Sequence, residues 1–225
     1  MMTDSLWFPP LNIAAHHEAD FRGLTPPKKV EEMMAVAIAM TGLQELQQKR
    51  YWIQGVPDTE RSPDVRTMFR DEVVDGRAPQ AHQQDVEVVD YTPYSTEMNL
   101  AEFVAATKLS SRKGYDALTN ILVNVQAGTR LPLATEWTAT LGPTRKVNKV
   151  LVLGLISQSQ PFYRLAVVHP VVEGAVDFHA IDLMKRHESG GGMRFVRGTK
   201  ARDWKTPNEK HCPFEKFGVK CNLIQ

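Results

Sequence analysis

The chain has 225 residues, 42% of them hydrophobic and 24% charged, with a net charge of +1. That length suits one large domain or two small ones, and no stretch offers the roughly 18 to 20 uninterrupted apolar residues of a membrane span. Two cysteines, Cys212 and Cys221, make no disulfide framework, and the N-terminus lacks the basic start and apolar run of a secretory signal, so a reducing, cytoplasmic setting away from membranes is expected.

The small net charge hides an asymmetry. Residues 1–110 hold 10 Lys+Arg against 17 Asp+Glu, whereas residues 111–225 hold 17 against 9. An acidic half suits cations and a basic half suits phosphates, although two halves that attract each other would show the same split.

In chain order, residues 1–24 carry Pro9, Pro10 and the pair His16-His17 and read as an irregular arm with solvated histidines. Next comes "TPPKKVEEMMAVAIAMTGLQELQQK". Thr25 suits an N-cap and Pro26 the first helical turn. Val30, Met33, Met34, Ala37, Ile38 and Thr41 follow i, i+3, i+4 spacing, so an amphipathic helix with a core-facing side is expected. Glu31 and Glu32 fall in its early turns, where the helix dipole already favours a carboxylate.

"RYWIQG" (Arg50–Gly55), "SPDVRTM" and "DVEVVDY" read as three strands, the last with Val86 and Val88 on one side and Glu87 and Val89 on the other. The connection from Asp71 to Gln84 reads as a long polar loop. Residues Asn99–Tyr115 are helical, capped by Asn99 and ending near Gly114. "TNILVNVQAG" is a buried strand, "LATEWTATLG" a short helix, and "VNKVLVLGLIS", "FYRLAVVHPVV" and "AVDFHAIDLM" three further strands. Helices alternating with strands predict an α/β protein, a mixed sheet flanked by helices. The last forty residues lose periodicity and gain Gly, Lys and Arg.

An acidic helix, then strand–strand–strand–helix–strand, with Pro63-Asp64 on the second strand and Glu87-Val88-Val89 on the third, resembles the PD-(D/E)XK nuclease superfamily. The likeness covers roughly Pro26 to Gln126. It implies a restriction-endonuclease-like core over residues 25–184, preceded by the arm 1–24 and followed by a basic, loop-rich tail 185–225 packed on the same domain. It also implies Mg²⁺- or Mn²⁺-dependent cleavage of nucleic acid, DNA first, by one copy or a homodimer.

The chemistry accounts for the residue types. Phosphodiester hydrolysis at neutral pH needs a divalent cation to neutralise the phosphate and acidify a water, and Mg²⁺ takes one or two carboxylates plus waters and substrate oxygens. The resemblance assigns Asp64 and Glu87 to the metal, with Glu31 or Glu32 as an accessory ligand. A lysine should then orient the water and stabilise developing charge. The motif expects it at position 89, where this chain has Val89. Lys108 on the following helix is the substitute, with Lys113 second.

Each of these residues has a plainer role available. Asp64 fits a Ser-Pro-Asp turn, Asp85 and Asp90 fit strand-end charges, and Lys108 fits a surface lysine with a buried stem. Loss of the position-89 lysine leaves open a non-cutting module that binds nucleic acid or protein. Backbone contacts would fall to Lys185, Arg186, Arg194, Arg197, Lys200 and Arg202 around "SGGG", and to Arg145 and Lys146 in "GPTRKVNK". His211, Cys212 and Cys221 fall one ligand short of a structural zinc site.

Overall fold

The computed structural model describes residues 7–21, 24–56, 63–71, 80–92, 98–109, 115, 117–126, 129–130, 132, 134–142, 147–157, 162–170, 178–182, 213–214 and 217. The protein is mixed α/β, with four helices among these residues and a seven-stranded mixed sheet whose strands follow chain order. The chain divides into two compact units, residues 1–83 with 182–225, and residues 84–181.

The first unit is organised by helix α2 (Lys28–Gln47). Its N-cap is Pro27, not Thr25, and extended backbone there lets the Pro27 carbonyl accept from the Val30 and Glu31 amides. Every residue from Ala35 to Leu43 is buried, so this stretch is apolar all round rather than on one face. The small residues Ala35, Ala37, Ala39 and Gly42 permit that close packing, and the buried Thr41 hydroxyl is satisfied by the Ala37 carbonyl at 2.8 Å. α2 packs on α1 (Pro10–Phe21) and on the antiparallel hairpin of β1 (Tyr51–Gly55) and β2 (Val65–Arg70).

Helix α1 corrects the expectation of an irregular arm. Pro10 occupies the first turn, where its missing N–H costs nothing, and Ile13 and His16 turn inward with 0% and 7% exposure. Upstream, Phe8 exchanges two 2.8 Å backbone hydrogen bonds with Ile53 of β1. From α2 the chain turns through Gln48, which is left-handed at φ 53°. Gln44 then accepts from the Tyr51 amide at 3.0 Å and Gln47 from the Tyr51 hydroxyl at 2.9 Å, fixing the entry to β1.

In the second unit, β3 (Ala81–Tyr91), β4 (Thr119–Val125) and β5 (Lys149–Ser157) run parallel, and β6 (Phe162–His169) returns antiparallel to β5; β7 spans Phe178–Asp182. β3 starts four residues earlier than the polar composition of 81–84 indicates. The crossovers are α3 (Leu100–Thr107) and α4 (Ala134–Leu141), as parallel neighbours require. Side-chain amides pin the parallel register: Asn120 donates to Gln84 at 3.0 Å, Asn148 to Asn120 at 2.8 Å, and Asn124 to Asp90 at 3.0 Å. The core of the unit joins Tyr91, Ile121, Val123, Val150 and Val152 to Leu100, Val104 and Trp137 of the helices.

Candidate functional site

Glu87 lies in the middle of β3, in register with Ile121 of β4, and shares its sheet face with Val89 and Tyr91. That face carries the apolar core, where an unpaired carboxylate would be costly. Glu87 is paired. Lys108 Nζ and the Tyr115 hydroxyl each donate to its Oε2 at 3.1 Å. The Lys108 and Glu87 side chains are only 9% and 10% exposed, so this is a buried, charge-assisted contact.

The delivery of Lys108 is legible in the helix that carries it. Asn99 and Glu102 form a reciprocal capping box, each accepting from the other's backbone amide at 3.0 Å. α3 ends at Thr107, well short of Gly114. The Lys108 and Leu109 amides both donate to the Val104 carbonyl, at 2.9 and 3.2 Å, which closes the last turn. Lys108 is therefore the C-cap, a position where the helix dipole favours a cation.

The first unit holds a second carboxylate–ammonium cluster. Lys29 Nζ donates to Asp64 Oδ1 at 3.0 Å and lies 3.0 Å from Glu32 Oε2. Glu32 Oε2 is buried, and the Lys29 ammonium is its ion-pair partner. Burial by itself would lower the Lys29 pKa; hydrogen bonds to Asp64 and Glu32, and the charges of both carboxylates, outweigh it and hold the ammonium above the ordinary lysine value. Lys28 adds a solvent-side contact to Glu32 Oε1 at 3.5 Å. Asp64 stands at the bend just before β2, its carbonyl accepting from the Val56 amide at 3.4 Å.

The two acidic residues left open on α2 separate cleanly. Glu32 is buried beside Lys29, and Glu31 is exposed. Asp64 and Glu87 belong to different units, so the structure groups Glu87 with Lys108 and Asp64 with Glu32. Asp90 is exposed and held by Asn124, as a strand-end charge would be. Lys113, Arg145, Lys146, Lys185, Arg186, Arg194, Arg197, Lys200, Arg202, His211, Cys212 and Cys221 lie outside the described residues.

The histidine pair is not solvated as expected. His16 is buried, its Nδ1 3.9 Å from Asp20 Oδ2, and His17 meets the Phe214 ring edge-on at 6.5 Å. Comparison with protein-family models, curated proteins and solved structures finds no match to this chain. No helix among the described residues is long and apolar enough to cross a membrane.

Mg²⁺ takes few protein ligands, and Glu32 and Asp64 are oxygen donors of the kind it uses. Glu32 and Asp64 flank one cation position, which the Lys29 ammonium fills at 3.0 Å from each. Among the described residues no group of three or more His, Cys, Asp or Glu is placed to hold a metal, so an ion there would keep water and substrate oxygens in its shell.

Two residues escape the sequence reading. Lys29 had a signal, because a lysine in the first turn opposes the helix dipole unless an anion compensates it. Tyr115, seven positions after Lys108, had none beyond being a tyrosine near a helix end.

Proposed function

We propose that the chain is a divergent member of the PD-(D/E)XK superfamily with a restriction-endonuclease-like core, and that it hydrolyses nucleic-acid phosphodiester bonds with Mg²⁺ or Mn²⁺. One observation carries the reading: Lys108 Nζ stands 3.1 Å from Glu87 Oε2, supplying from α3 the ammonium that Val89 cannot supply from β3. The element order α2–β1–β2–β3–α3–β4 supports the same fold.

In this reading Asp64 and Glu32 would hold the ion, which supplies charge neutralisation on the phosphate and an acidified water. Glu87, itself held by the Tyr115 hydroxyl, fixes the Lys108 ammonium in place. The ammonium can then donate to a phosphate oxygen as negative charge grows on it, without reorganising at that moment. DNA is the expected substrate.

A second reading has its own observation. Each candidate carboxylate already faces a lysine of its own unit, Glu87 with Lys108 and Asp64 with Lys29. A nuclease-like fold that had abandoned catalysis and kept a binding role would close its site in this way.

The test is incubation of the pure protein with supercoiled plasmid and single-stranded DNA in Mg²⁺, Mn²⁺ or EDTA, beside Asp64→Ala and Glu87→Ala. Metal-dependent nicking lost in both variants supports the nuclease. Salt-sensitive binding without cutting, retained by both variants, favours the binding module.

A further inference from the structure

The Lys29 ammonium sits where a divalent cation would have to sit. It is 3.0 Å from Asp64 Oδ1 and 3.0 Å from Glu32 Oε2, and the Glu32 side chain is 6% exposed. We propose that Lys29 is a built-in counter-ion that competes with the divalent cation, so that loading the Glu32–Asp64 pair means expelling the ammonium. The inference rests on reading that pair as cation ligands, and adds a control on their occupancy.

Three features favour competition over simple stabilisation. Glu32 Oε2 is buried with the Lys29 ammonium 3.0 Å away, so the oxygen an ion would coordinate is the one the ammonium now faces. Mg²⁺–oxygen distances are about 2.1 Å, so an ion between the two carboxylates and an ammonium in the same place would overlap. Lys29 also has somewhere to go, since its side chain is 15% exposed and its four-carbon stem can swing the charge outward. The ammonium therefore screens two carboxylates at rest and lowers apparent metal affinity by keeping most molecules in a form that cannot load.

Mn²⁺ titration calorimetry on the full chain tests this, comparing wild type with Lys29→Met and Lys29→Gln. Both variants should bind Mn²⁺ about tenfold or more tightly, as removal of a competing state predicts, and Glu32→Gln introduced into either should abolish the gain. In the wild-type protein, acetylation of Lys29 by an amine-reactive ester, mapped by mass spectrometry, should accelerate when Mn²⁺ is added. This second readout does not depend on a variant folding. Mn²⁺ affinity unchanged or weakened in the folded variants, or Lys29 acetylation indifferent to Mn²⁺, would overturn the proposal. Tighter Mn²⁺ binding without any nicking would sink the nuclease and leave the counter-ion standing. Nicking with Mn²⁺ affinity blind to Lys29 would do the reverse.

Discussion

Lys108 and Glu87, 21 positions apart in sequence, meet at 3.1 Å on the apolar face of the second unit with both side chains about nine-tenths buried. Burying two charges costs several kcal/mol each before their attraction is counted, so such a pair is weak evidence of a stability device by itself. It becomes informative because a β3 position that could have been apolar is a carboxylate, and a helix C-cap that could have faced water points inward.

The pair makes a stability prediction that does not require an activity. Lys108→Met leaves the Glu87 carboxylate buried with the Tyr115 hydroxyl, and should cost about 3 to 5 kcal/mol in urea unfolding. The double variant Lys108→Met/Glu87→Leu removes both charges and should recover most of that loss. A double variant no more stable than Lys108→Met would show that the two groups are not coupled.

Tyr115 donates to the oxygen that Lys108 also uses. Tyr115→Phe removes a hydrogen bond to a charged acceptor and should lower stability by about 1.5 to 3 kcal/mol. The same substitution in a Glu87→Leu background should cost far less, which chemical denaturation of the four proteins would read directly.

His16 gives a pH dependence with a definite sign. Burial lowers its pKa from 6.5, and Asp20 opposes the shift only in part. Below about pH 6.5 the unfolded chain takes up a proton that the folded chain resists, so stability falls as pH drops through that value and levels off below the folded pKa. The fall in melting temperature between pH 7.5 and 5.5 should be smaller in His16→Gln than in wild type. An equal fall in both proteins would remove His16 from the account.

The capping box at the start of α3 positions the helix that delivers Lys108. Asn99→Ala should destabilise by about 1 kcal/mol, and Asn99→Asp, which keeps the acceptor, should cost less. Melting curves of the two variants would decide between a cap that matters and one that water replaces.

Much of the fold was legible because its signals are local. Asn99 as a cap, the apolar run of β4, the short α4 and the three last strands follow from capping chemistry and hydrophobic runs alone. α1 was hidden because its inward face mixes Ile13 with His16, so the apolar period is broken by a polar residue that only packing explains. The early start of β3 was hidden by Gln83 and Gln84, polar residues of a strand whose amide at 84 is bonded to Asn120. In the candidate site, Lys108 followed from the resemblance, which expects a lysine where the chain has Val89. Lys29 carried only a partial signal, a first-turn lysine that wants an anion, because its partner Asp64 lies 35 positions away; that a tyrosine beyond a helix end turns back to Glu87 has no sign in the linear sequence.

Single-turnover cleavage of a labelled DNA duplex in Mg²⁺ tests most directly the proposal that Lys108 serves in place of a lysine at position 89. Wild type should cut, and Lys108→Met, shown to be folded by its circular dichroism, should lose about 10²-fold or more in rate, with Lys108→Arg keeping part of it. Cleavage by Lys108→Met at the wild-type rate, or no cleavage by wild type in Mg²⁺ or Mn²⁺, would contradict the account.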